Sequence, residues 1–133
     1  NQFLGRPAKV SKEEIVGLIT ALEIFVDEDE EEETRHYRQL AQQVVDAMSE
    51  FPGLMVTLMH DDFDYLTPSA VIRFTGEWRG PSRSQVAAAL EHGDPAIHLN
   101  LLGRPDELAV SPLNLLEDEV PIVVRRLREE LLR

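Results

Sequence analysis

The apolar positions of this chain switch between helical and strand spacing, and each switch marks an element. Ile15, Leu18, Ile19 and Leu22 recur at i, i+3, i+4 and i+7, the stripe of an amphipathic helix. Ser11 and Glu14 stand where a capping box satisfies two backbone donors at its start, after a stretch broken by Gly5 and Pro7. The pattern predicts a helix over about 12–26. A second stripe, Tyr37, Leu40, Ala41, Val44, Val45 and Met48, predicts a helix over about 34–50, ended by the Pro52-Gly53 turn. Two short apolar runs, 54–60 and 70–75, read as an antiparallel strand pair joined by a polar connection over 61–68. Ser82 and Gln85 form another capping box, opening a helix that carries Val86 and Leu90, with Gly93 as its C′ residue. Asp94-Pro95 then turns the chain into a strand over about 96–101. The turn Gly103-Arg104-Pro105-Asp106 leads to a return strand over 107–111. The last helix carries Val120, Val123, Val124, Leu127 and Leu131. Because Pro121 is tolerated only in a first turn, its cap is expected at Glu117 or Asp118. The order α-α-β-β-α-β-β-α predicts an α+β fold, a small antiparallel sheet with helices packed on one face, in a single domain over 1–133.

Composition narrows what this fold can do. At 133 residues and 43% hydrophobic content, one packed core is the default. The net charge is −12, and the unbroken carboxylate run 27–33 supplies more than half of it. That run reads as a solvated connection, because seven adjacent like charges repel, although negative charge is favourable just before a helix start. A net negative field argues against nucleic-acid and anionic-membrane partners. No apolar run approaches the roughly 20 residues that span a bilayer, and the N-terminus shows no signal peptide. With no cysteine, the chain has no disulfide, thiolate metal site or cysteine nucleophile. A cytoplasmic location fits these features.

Candidate chemistry is sparse. Arg6 and Lys9 flank Pro7 just before a helix N-terminus, a basic loop suited to a carboxylate or phosphate, with pairing to nearby carboxylates as the plainer reading. Arg73 lies on a strand between Ile72 and Phe74, and Arg104 in a turn. Each is a candidate substrate anchor or an ordinary surface arginine. His60-Asp61-Asp62-Phe63-Asp64 reads as a strand end and an Asp-rich turn before it reads as a metal site. The run 27–33 lacks the glycine and spacing of a calcium loop, and His36, His92 and His98 have no triad partners at a suggestive spacing. No metal and no catalytic residue is expected. Trp78 either packs under its loop or contacts a partner.

Three segments carry a resemblance: Gly5-Arg6-Pro7-Ala8-Lys9-Val10-Ser11-Lys12-Glu13-Glu14-Ile15-Val16-Gly17-Leu18, then His92-Gly93-Asp94-Pro95-Ala96-Ile97, then Val110-Ser111-Pro112-Leu113-Asn114-Leu115. Together they resemble the C-terminal small domain of fold-type-I pyridoxal-phosphate enzymes. The nearest branch is that of selenocysteine synthase (L-seryl-tRNA selenium transferase) and D-glucosaminate-6-phosphate ammonia lyase. The resemblance implies a lyase or transferase acting on an amino acid or amino sugar acid. Its cofactor, pyridoxal phosphate, would be held on a lysine of a large domain. The chain's only lysines, Lys9 and Lys12, stand in a different context, and no glycine-rich phosphate turn is present. The chain alone is therefore expected to be inactive, with the large pyridoxal-phosphate-binding domain as partner and a homo-oligomer as the assembly. Selenocysteine synthases tend to carry an arginine where this chain has none over 110–114, which favours the ammonia-lyase side. The rival reading is a free-standing α+β protein-interaction module without catalytic activity.

Overall fold

Helix α1, Lys12–Asp27, opens as its residues dictate. The Glu14 N–H donates to Ser11 Oγ at 3.2 Å, and the Ser11 N–H donates to the Glu14 carboxylate at 2.6 Å. The computed structural model describes residues 10–99 and 104–133. These form two compact units that divide between Glu33 and Thr34. In the first unit, α1 buries none of its side chains, and its apolar stripe is exposed.

Helix α2, Glu30–Met48, starts four residues earlier than its apolar stripe implies. The acidic run is thus mostly not a connection. Only Glu28 and Asp29 separate the two helices, and Glu30–Glu33 form the first turn of α2. Asp29 Oδ1 accepts the N–H groups of Glu31 and Glu32 at 3.0 Å each. This local cap and the positive end of the helix dipole outweigh the mutual repulsion of the carboxylates.

In the second unit, β1, Leu54–Met59, pairs antiparallel with β2, Ser69–Phe74, which pairs antiparallel with β3, Glu107–Val110. The sheet order is β1-β2-β3. The register places Val56, Ile72 and Leu108 in one row and Leu58, Ala70 and Val110 in the next. Side chains alternate across a strand, so these rows share a face. That face joins one buried cluster with Leu40, Val44 and Met48 of α2, Val86 and Leu90 of α3, Arg83–Glu91, and Val120, Val123, Leu127 and Leu131 of α4, Val120–Leu131. The α+β arrangement with helices on one face of a small antiparallel sheet is therefore present. Of the hairpin expected over 96–111, the return arm exists as β3. Residues 96–99 of the other arm carry no regular secondary structure, and 100–101 lie outside the described residues. A single 3₁₀ turn, Pro112–Asn114, leads out of β3, and α4 begins after Glu119 with Pro121 in its first turn, one or two residues later than expected.

Two glycines are explained by close approach. Gly53 has φ +85°, and a Cβ there would meet the backbone of Trp78 at 2.7 Å. Trp78 itself packs edge-on against Phe51 and Phe74, and its Nε1–H donates to the Pro81 carbonyl at 2.8 Å. Its ring therefore packs under its own loop. Gly93 does not take the left-handed conformation expected of a C′ residue, since Gly53 is the only positive-φ glycine among the described residues. Its constraint is spatial: a Cβ would collide with the guanidinium of Arg126. That guanidinium donates to the buried Glu130 carboxylate at 2.9 Å and to Glu129 at 2.6 Å.

Candidate functional site

The sheet face away from the helices carries a connected polar arrangement. Arg73 on β2 lies opposite Glu107 on β3 and opposite Met55 on β1. The Arg73 guanidinium grips the Glu107 carboxylate through both Nε, at 2.8 Å, and Nη2. Its remaining Nη1 lies 3.8 Å from Met55 Sδ. The other Glu107 oxygen accepts the Tyr65 hydroxyl at 3.1 Å and the Arg104 backbone N–H at 3.4 Å. The Glu107 side chain is only 4% exposed, whereas that of Arg73 is 34% exposed. A buried carboxylate is thus fully partnered beneath a half-open guanidinium.

Local structure explains each position. Asp61 Oδ1 accepts the N–H groups of Phe63, Asp64 and Tyr65, which folds the 61–65 connection into an Asx-type turn and aims Tyr65 back over the sheet. These three donors hold the Asp61 carboxyl below its ordinary pKa. Burial pushes the Tyr65 phenol up to about 12, helped by its bond to the Glu107 carboxylate. Burial alone would raise Glu107, but the bonds from Arg73, Tyr65 and the Arg104 N–H prevail and keep it below its usual range. The same pairing raises Arg73.

Met59, Asp61, Asp64, Tyr65, Val71, Arg73, Arg104 and Glu107 line a cleft of about 280 Å³. Two of the four arginine and lysine candidates therefore come together. The Arg104 side chain is exposed and has no ion-pair partner among the described residues. Arg6 and Lys9 lie outside the described residues. The His60-to-Asp64 stretch is occupied by other tasks: Arg38 Nη2 lies 3.3 Å from the His60 ring, and Asp61 holds its turn. No group of three or more potential metal ligands occurs among the described residues.

Sequence reading passed over Tyr65 and Glu107. Glu107 looked like the first residue of a return strand. An opposite-charge pair facing Arg73 across that strand was the one available signal, and using it required the register. A larger cleft of about 570 Å³ lies beside α4, but its walls are mainly aliphatic, from Ile97, Leu99, Leu113, Leu115, Ile122 and Val123. Its polar lining residues, His98, Ser111, Asn114 and Glu119, include no arginine or lysine to hold an anion, so the Arg73–Glu107 cleft is the candidate site.

No family model matches the chain. A 5'-C-glycyluridine monooxygenase-decarboxylase from a Streptomyces species is 28% identical over 130 residues, which cover 97% of this chain and 33% of that protein. A solved structure of D-glucosaminate-6-phosphate ammonia-lyase superposes with a TM-score of 0.71 at 29% identity, covering 95% of this chain and 33% of that one. The chain thus spans about a third of the length of both relatives. The resemblance carried by its three sequence segments extends to the tertiary structure: along nearly all its length, this chain is similar to a one-third part of D-glucosaminate-6-phosphate ammonia-lyase.

Proposed function

We propose that the chain is the C-terminal small domain of a pyridoxal-phosphate-dependent lyase or transferase acting on an amino acid or amino sugar acid. The observation that carries this reading is the similarity in both sequence and fold to one third of an ammonia-lyase over 95% of the chain. In this reading the helix-free face of the sheet forms one wall of a crevice, and the large pyridoxal-phosphate-binding domain forms the other. A homo-oligomer in the cytoplasm belongs to the same reading. No helix among the described residues is long and apolar enough to cross a membrane.

Of the chain's two lysines, only Lys12 lies among the described residues. Lys12 is the first residue of α1, exposed, and lines none of the clefts described above. Pyridoxal phosphate would therefore be held by the other part of the enzyme, and no step of its chemistry is assigned here. What the chain supplies is substrate contact and exclusion of water. Arg73 and Arg104 both line the cleft, where they would meet a carboxylate or phosphate. Asp64 on the same cleft suits an ammonium group. A mixed-charge wall of this kind recognises a substrate bearing both charges. The expectation from sequence that Arg6 and Lys9 meet a substrate anion stands as a separate part of the proposal, since both lie outside the described residues.

Two experiments test the reading. The reading frame upstream should encode a lysine-bearing α/β domain, and in that full-length enzyme Arg104→Ala should raise KM about tenfold, the loss of one charge-assisted hydrogen bond. The isolated chain should form no stable absorbance band with pyridoxal phosphate. A band that Lys9→Ala or Lys12→Ala abolishes would overturn the reading. The rival, a free-standing interaction module, draws support from the exposed apolar side chains of α1. A natural start codon just before Asn1, with no such upstream domain, would favour it.

A further inference from the structure

We propose that Met55 is a site of reversible oxidation by peroxide, and that Arg73 binds the resulting sulfoxide. The register sets Met55 of β1 directly opposite Arg73 of β2, so strand pairing fixes their contact. Arg73 gives its Nε and Nη2 to the Glu107 carboxylate, and its Nη1 lies 3.8 Å from Met55 Sδ. A thioether is a weak acceptor, so this is the poorest of the three contacts that the guanidinium makes. The chain has no cysteine, which leaves methionine as its only sulfur open to reversible oxidation. Its three methionines differ in access. Met48 is fully buried and Met59 is half-buried, whereas Met55, on an edge strand, is 49% exposed.

The step balances with hydrogen peroxide as oxidant. The Met55 sulfur attacks one peroxide oxygen, the O–O bond breaks, and the proton on the transferred oxygen passes to the departing hydroxide. The thioether is oxidised to a sulfoxide and the peroxide is reduced to water. The new oxygen is a strong acceptor where the sulfur was a weak one. Methionine is unbranched, so rotation about its Cγ–Sδ bond brings that oxygen to Nη1. Glu107 already holds the guanidinium in place, and a charge-assisted hydrogen bond replaces the N–H to sulfur contact. A sulfoxide usually disrupts the packing around it because it is polar. On this face of the sheet it meets a donor instead. The inference goes beyond the proposed function and does not depend on it. Under that function it has a consequence: the sulfoxide withdraws one of the two cleft arginines from a substrate anion.

The test uses the 133-residue chain and dilute hydrogen peroxide. Peptide mapping by mass spectrometry should find the sulfoxide at Met55 first, at Met59 later and at Met48 last, and methionine sulfoxide reductases should reverse it. A Met59→Leu background confines early oxidation to Met55. There, oxidation should move the urea midpoint upward. With Arg73→Leu and Glu107→Leu added, which removes the ion pair as a unit, oxidation should move it downward. If that combination does not fold, Arg73→Lys serves in its place: it keeps a cation for Glu107 without the guanidinium fork, and the upward shift should shrink. Oxidation of Met55 no faster than of Met59 would overturn the proposal. So would a midpoint shift on oxidation that is the same with and without the Arg73 guanidinium.

Discussion

The two faces of the sheet are built from the same strands and held by different physics. On the helix side, Val56, Ile72 and Leu108 lie in one row, with Ile72 and Leu108 fully buried in the core shared with α2, α3 and α4 and Val56 packed at its edge. One residue away on each strand, Met55, Arg73 and Glu107 lie in the adjacent row, and Arg73 and Glu107 line the cleft. The first row is stabilised by removal of apolar area from water, which is non-directional and shared among many neighbours. The second depends on a single buried carboxylate having every lone-pair direction met by a named donor. A period of two thus separates a face that tolerates change of shape from one that tolerates no change of partner. In the proposed function, the polar face is the one that meets a substrate.

That contrast can be broken from either side. The largest effect is expected on the apolar face. Leu108→Ala should cost about 2–5 kcal/mol, read as a lower urea midpoint with an unchanged m-value. On the cleft face, Glu107→Ala leaves the Tyr65 hydroxyl and a half-exposed guanidinium without their acceptor. It should cost about 1–3 kcal/mol in the same assay, with Arg73→Ala costing more than a surface arginine because it strands the buried carboxylate.

The pH dependence sharpens the comparison. Glu107 has a folded-state pKa below its unfolded value, so its contribution is present above the ordinary carboxylate range and is lost as pH falls through the folded value. The stability gap between wild type and Glu107→Gln should therefore narrow from neutral to acidic pH, whereas the gap for Leu108→Ala should not. Tyr65 acts at the other end. Its pKa is raised to about 12, so its contribution is intact at neutral pH and declines as pH rises past the ordinary tyrosine value. A wild-type chain whose alkaline unfolding matches that of Tyr65→Phe would contradict the assignment.

Two smaller changes calibrate the scale. Ser82→Ala removes the cap of α3, whose Oγ accepts the Gln85 N–H, and should cost about 1 kcal/mol in thermal unfolding. Arg104→Ala should leave stability within about 0.5 kcal/mol, because its side chain has no ion-pair partner among the described residues. A larger loss of stability would place that side chain in the structure and not at the mouth of the cleft.

Much of the fold was legible because its signals are short-range. The boxes at Ser11–Glu14 and Ser82–Gln85 close within three residues, and both helices begin where those residues stand. The strand pair was visible from two apolar runs, and it forms with shifts of one residue. The start of α2 was misplaced because seven carboxylates look like a repelling linker until Asp29 is seen to cap them. Gly93 was given a backbone role because its partner, Arg126, comes from a different helix. Of the site, Arg73 and Arg104 were singled out one at a time, each as an isolated cation. Their common neighbour, Glu107, stands 34 residues from Arg73.

The sequence by itself determined where α1 and α3 begin, which residues of the sheet-bearing unit face inward, and that the chain resembles part of a two-domain enzyme. Each of these rests on spacing within a turn, a strand or a contiguous motif. Only the tertiary structure decided that Arg73 is gripped by a buried carboxylate, that Tyr65 completes the set, and that Trp78 packs under its own loop. Those outcomes depend on strand register and helix packing. The favourable contacts there join residues far apart in the chain, and no local pattern records which partners will meet.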